Sequence, residues 1–278
     1  MRFMSLLSVV EAHQSDNDLK IAIDLCSETN AQLSVMVFAV ASLPPIGDYP
    51  IGTANVWMKE RQRDLAHLGA RVEEVEMLVR DADISAAVTD EYPELARVGH
   101  IVGRRARYAD VTILGPHLLT DEKMKAKVID GALFESGRPI LLIPHGTKPT
   151  LCPKRILLAW DSGMECTRAA REALDIMASA EEVHVTLVDP DTSSIANGAE
   201  PGADIAAYLA HHGIKVDVDR LPSGGQSIAE VLKQHATDMS AELIVMGGYG
   251  HSRTREWIFG GVTRSMIDDP NLPVLMAR

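Results

Sequence analysis

The feature that most limits what this chain can fold into is that it says the same thing twice. "ADVTILG" at 109–115 and "AELIVMG" at 241–247 each pass from Ala through an acidic or polar start into an apolar run that closes on Gly. "RPILLIP" (138–144) lines up with "LPVLMAR" (272–278), and "MSLLSVVEAHQSD" (4–16) with "KRILLAWDSGMEC" (154–166), which sets Glu11 opposite Asp161. The three pairings keep their order but not their spacing, as a duplicated unit with altered loops would. The Pro/Gly/Thr/Lys stretch "HGTKPTLCPK" has the composition of a linker. The sequence therefore predicts two domains, 1–147 and 152–278.

The second unit has a regular rhythm. "RILLAW", "VHVTLVD", "KVDVDRL", "ELIVMGG" and "LPVLMA" are short apolar or alternating β-prone runs. Between them, "CTRAAREALDIMASA", "ADIAAYLAHHG" and "SIAEVLKQHATDMSA" carry helical spacing. Ser227 with Glu230 three residues on has the spacing of a capping box. Strands alternating with helices imply right-handed crossovers and a mainly parallel sheet. The first unit repeats the pattern with a longer helical stretch from about Asn55 to Leu78. The predicted class is α/β: two tandem, doubly wound, five-stranded Rossmann-like domains.

Composition narrows the rest. Aromatic residues are only 4% against 46% hydrophobic, so the core must be aliphatic. A net charge of −12 argues against nucleic acid and anionic membranes as partners. Cys26, Cys152 and Cys166 stand far apart, with no C-x-x-C and no H-E-x-x-H, so neither a disulfide framework nor a metal site is suggested. "MRFMSLLSVV" reads as a buried strand rather than a signal peptide, and no run approaches the ~20 apolar residues of a membrane span. The expected location is the cytoplasm. His211 and His212 read as residues of a helix C-terminus, "SGGQS" (223–227) as a flexible turn, and "TDEKMKAK" as a solvated surface.

Between Gly247 and Gly261 the chain spends five glycines, with a basic run among them: "GGYGHSRTREWIFGG". Gly is costly inside helices or strands, so this density means tight turns or close approach by a ligand. The loop follows an apolar strand, placing it on the sheet rim where α/β folds bind ligands. A fresh helix is expected from Gly260–Gly261 through "VTRSMID", its free amides facing that rim. Arg253, Arg255 and Arg264 add positive charge, which suits a phosphate-bearing ligand. The pattern is neither a Walker loop nor a Rossmann fingerprint; it is G-x2-G-x9-G, made by Gly247, Gly250 and Gly260.

On these motifs the chain resembles a tandem universal stress protein, two such domains covering nearly its whole length. The resemblance implies that the C-terminal domain binds ATP or AMP, with Mg as a further expectation. Asp161 would then contact the adenine amino group with Trp160 beside it, and Val188 would pack on the base. Met246 and Gly247 would flank the adenosine. The amides around Gly250, Gly260, Gly261 and Val262, with the Thr263 hydroxyl, would hold phosphates, and His251 could reach one. One departure is Gly261, where the resemblance leads one to expect Ser or Thr. The first unit departs further, with Leu118 in place of the second glycine, Lys127 near a helix start and Glu11 in place of Asp161, and is read as having lost the site.

Plainer readings stand beside these. The glycines can shape a turn and bind nothing, Asp161 can be only a helix N-cap, and Trp257 and Phe259 read as packing anchors. The resemblance implies a stress-response sensor or adaptor rather than an enzyme. The alternatives are an interaction protein with vestigial sites and a slow nucleotide hydrolase. It further implies that "PILLIP" and "PVLMA" pair within the chain as an internal pseudo-dimer; a homodimer and unknown protein partners stay open.

Overall fold

The computed structural model describes residues 3–44, 51–191, 200–249 and 261–278, with backbone alone at 51–54. Two compact units emerge, Met4–Ser136 and Gly137–Arg278, the latter including Phe3.

The first unit is built from β1 (Ser5–Glu11), α1 (Asn17–Thr29), β2 (Gln32–Phe38), α2 (Ile51–Asp81), β3 (Ala86–Glu91), α3 (Val98–Ala106), β4 (Val111–Leu114), α4 (Pro116–Thr120) and α5 (Glu122–Ile129). Its strands run parallel in the order β3-β2-β1-β4. β1, β2 and β4 are apolar because both faces are covered, and each fully buried Leu, Ile or Val contributes about 1.5–3 kcal/mol. The outer strand β3 has no fully buried residue. The long helix anticipated near 55–78 is α2, extended at both ends.

The second unit contains β5 (Ile140–Leu142), β6 (Arg155–Ala159), α6 (Met164–Glu172), α7 (Leu174–Ser179), β7 (Glu182–Val188), α8 (Ala203–His211), β8 (Val216–Leu221), α9 (Ile228–Asp238), β9 (Leu243–Gly247), α10 (Gly261–Asp268) and β10 (Val274–Ala277). The strand order is β5-β10-β9-β6-β7-β8. All neighbours are parallel except β5, which meets β10 antiparallel with Leu141 opposite Leu275. The pairing expected of the two terminal apolar runs is thus present. It also explains why the compact units divide at Ser136/Gly137 while the covalent repeat turns over near residue 150: β5 belongs to the first copy in sequence and to the second unit in packing.

Local signals carry through closely. The Ser227 hydroxyl accepts from the Glu230 amide at 3.2 Å while the Glu230 carboxylate accepts from the Ser227 amide at 2.9 Å, a complete capping box. Three expectations need correction. The helix read over 166–180 is two helices, because Ala173 (φ −94°, ψ 1°) leaves helical geometry between α6 and α7. Lys127 stands in the last turn of α5, whose start is capped by Asp121 accepting from the Lys123 and Met124 amides. In that segment Met124 and Lys125 are buried, so "TDEKMKAK" is not wholly solvated.

Candidate functional site at the second sheet's rim

After β6 the chain lays β7 and β8 on one side and β9 and β10 on the other. The carboxyl ends of β6 and β9 therefore flank a topological switch point, where α/β sheets leave a crevice. Trp160 and Asp161 leave β6, and Met246 and Gly247 end β9. Gly247 has a steric reason to be glycine. A Cβ there would stand 2.4 Å from the Cys166 amide nitrogen and 2.6 Å from the Glu165 carbonyl carbon, so the first turn of α6 rests on bare backbone. The half-buried Trp160 donates from Nε1 to the Ser162 hydroxyl at 3.1 Å, and Asp161 Oδ1 accepts from the Gly163 amide at 2.8 Å. Asp161 is solvent-exposed and holds the entry to α6 in place. Burial, and secondarily the neighbouring Asp161, push the Cys166 thiol up to about 12, which makes it an inert packing group.

Among the described residues, three non-glycine positions on this rim adopt left-handed backbone geometry: Ser162 (φ 64°) after β6, Asp189 (φ 46°) after β7 and Tyr249 (φ 70°) after β9. Such conformations cost of order 1 kcal/mol or more, and cluster where loops must be aimed. The Asp189 carboxylate accepts from the Ser223 amide at 3.0 Å, which ties the loop after β7 to the loop after β8; the Ser223 hydroxyl first, and then this amide, lower its pKa. Sequence reading missed these positions because no residue type announces left-handed geometry the way Gly does.

The helix expected from the second glycine pair is α10, which opens at Gly261. Gly261 is exposed, and a Cβ on it would meet nothing within 4 Å. Val262 is half-buried. Thr263 is buried, and its hydroxyl accepts from the Tyr249 amide at 3.3 Å, which fastens the loop after β9 to the first turn of α10. A hydroxyl that accepts can also donate. Val188 ends β7, half-buried beside the β6 rim. Arg264 pairs with Asp268 at 3.2 Å one turn along α10. Gly250, His251, Arg253, Arg255, Trp257, Phe259 and Gly260 lie outside the described residues.

The first unit's switch point, between β1 and β4, is furnished differently. Asp18 is only 3% exposed, and its carboxylate accepts from the backbone amides of His117 and Leu118, both at 3.0 Å. Gln14 donates to the same carboxylate at 2.6 Å and accepts from the Glu11 amide at 3.0 Å. Gly115 makes room for this arrangement, since a Cβ there would lie 2.3 Å from the Asp18 carboxyl carbon. Burial, and then Asp121, raise the Glu11 pKa above its ordinary 4.5. The amides of this rim are already satisfied by the protein's own carboxylate.

The profile of the universal stress protein family matches residues 153–278. Residues 153–278 belong to the universal stress protein family. A curated universal stress protein from Synechocystis sp. is 25% identical over 128 residues, 45% of this chain and 42% of the relative, so the chain matches less than half of that relative's length. At the level of fold the likeness covers both units. A universal stress protein from Archaeoglobus fulgidus DSM 4304 superposes with a TM-score of 0.64 at 17% identity, over 98% of this chain and 96% of that one. A protein of unknown function from Pseudomonas aeruginosa PAO1 gives 0.58 at 17% identity, over 99% and 92%. The universal stress protein domain is thus the half whose rim carries the left-handed residues and the exposed helix start, and the first unit shares its fold. Among the described residues no helix is long and apolar enough to cross a membrane.

Proposed function

We propose that the universal stress protein domain binds an adenine nucleotide, ATP or AMP, at the β6/β9 rim, and that the chain acts as a stress-response sensor or adaptor with one live site. The observation that carries this reading is the contrast at the helix starts. Asp18 saturates the rim amides of the first unit, whereas α10 begins at an exposed Gly261 with open space around it. Helix-start amides of that kind suit phosphate. Thr263 would donate its remaining proton to a phosphate oxygen, and Asp161 would accept from the adenine amino group beside Trp160. Val188 and Met246 would supply apolar contact. Binding by amides and a hydroxyl needs no general base, so the reading is a binding module rather than an enzyme. Nucleotide occupancy would act on protein partners through the loop between β9 and α10.

The competing reading is an interaction protein with a vestigial rim. It draws on Gly247, which α6 packing demands whether or not a ligand is present, and on Asp161, which already serves the start of α6. Calorimetric titration of full-length, nucleotide-stripped protein with Mg-ATP separates the two. Saturation near one site per chain, weakened by Asp161→Ala and by Thr263→Val, is the expected outcome. Absence of heat at several temperatures, with no nucleotide released from the protein as purified, would turn the search toward protein partners. Turnover that persists through stringent purification and falls with Thr263→Val would instead favour a slow hydrolase.

A further inference from the structure

Away from the rim, three side chains from three elements of the second unit converge. His184 lies on β7, Asp219 on the outer strand β8, and His235 on α9. Thr186 is the register partner of Asp219, and His184 precedes Thr186 by two residues, so all three strand side chains share one sheet face. α9 packs against β7 and supplies His235 to the same cluster. Asp219 Oδ2 stands 2.8 Å from His184 Nδ1 and 2.8 Å from His235 Nε2, and the three potential ligand atoms all lie within 4.8 Å of one another.

We propose that His184, Asp219 and His235 form a binding site for a divalent transition metal of zinc's ligand preference, which ties the edge strand β8 and its neighbour β7 to α9. Two imidazole nitrogens and one carboxylate oxygen, with no thiolate, suit zinc, cobalt or nickel better than calcium or magnesium, which prefer all-oxygen shells. Metal bonds of about 2.0–2.2 Å in tetrahedral geometry need ligand atoms roughly 3.3 Å apart. The two 2.8 Å contacts must each open by about half an ångström, and the two imidazole nitrogens, within 4.8 Å of each other, must reach the same spacing, changes within side-chain freedom. Side-chain exposures of 20%, 26% and 22% shield the site while leaving an approach for a water as fourth ligand. Thr186 adds a second observation: its hydroxyl is buried and has no hydrogen-bond partner among the described residues. An orphan polar group beside the carboxylate is what a metal-bound water would satisfy. The site is independent of the nucleotide reading, since none of its residues belongs to the rim.

The test is titration of chelator-stripped full-length protein with Zn2+ by calorimetry and with Co2+ by visible absorption. One ion per chain is expected, with the intense visible bands of four-coordinate Co2+ and a rise in melting temperature on adding Zn2+. His184→Gln and His235→Gln each keep a donor for Asp219, so both variants should fold, as circular dichroism would check. Each is expected to weaken binding about tenfold or more, and the double variant should lose both the Co2+ spectrum and the thermal shift. His211→Gln/His212→Gln should leave all three readouts unchanged. Stoichiometric binding that survives in the folded double variant would overturn the proposal, as would no Zn2+ heat, Co2+ spectrum or thermal shift in the unaltered protein.

Discussion

Each unit reverses its strand order beside one strand, β1 in the first and β6 in the second, yet the two rims use carboxylates in opposite ways. In the first unit Asp18 is buried and turned onto two amides. In the universal stress protein domain Asp161 is exposed and accepts from one amide at the start of α6. The difference teaches how one fold can furnish the same rim in two ways: in the first unit a buried carboxylate satisfies the amides at the start of α4, whereas in the second an exposed one caps the entry to α6. Gly115 and Gly247 illustrate this from the other direction. Both close the equivalent strand, but the first makes space for a carboxylate and the second for a helix backbone.

The largest expected effect comes from testing that last point. Gly247→Val drives a side chain into the backbone of α6, which cannot swing aside, and is expected to cost about 3 kcal/mol or more. Denaturant unfolding of the full chain, read for loss of the second unit's transition, measures it. Asp18→Ala comes next. It leaves two amides and the Gln14 side chain without their acceptor, and about 2–3 kcal/mol of first-unit stability should go with it. Asp161→Ala should cost only about 1 kcal/mol, as for an exposed cap, while lowering nucleotide affinity. If the two substitutions destabilise equally, the contrast between the rims fails.

Smaller effects sharpen the same contrast. Thr263→Val should weaken Mg-ATP binding about tenfold in calorimetry, since a hydrogen bond to a charged group contributes roughly 1.5 kcal/mol. Gly261→Ser, into open space, should tighten it a few-fold. The smallest effect concerns pH. The folded-state pKa of Glu11 lies above its ordinary 4.5, so the carboxyl contributes stability when protonated and loses it as pH rises through the folded-state value. Glu11→Gln should therefore flatten the decline of stability above pH 4.5, visible in melting temperatures across a pH series.

What could be read from the sequence was local. The apolar runs at 156–158 and 243–246, the Ser227–Glu230 cap and the fresh helix at Gly261 all follow from neighbours within a few residues, and all are present. The candidate residues Trp160, Asp161, Met246 and Gly247 do meet at one switch point, because strand order brings β6 and β9 together. What stayed hidden depends on distance along the chain. Asp18 reaches amides 99 and 100 residues away, and His184 meets a carboxylate 35 residues on. Neither separation leaves a spacing to recognise. The left-handed backbone at Ser162, Asp189 and Tyr249 was equally silent, since it is imposed by packing rather than by residue type.

The antiparallel seam between β5 and β10 bears on how the protein can be dissected. β10 is buried along its whole length, and one of its two partners arrives from residues 140–142. A fragment beginning at 152, the natural cut by homology, would keep every residue matched to the universal stress protein family and still lose that partner. It would present one open edge of a wholly apolar strand, its other edge still paired with β9, as a ready template for self-association. A fragment beginning at Gly137 keeps β5 against β10.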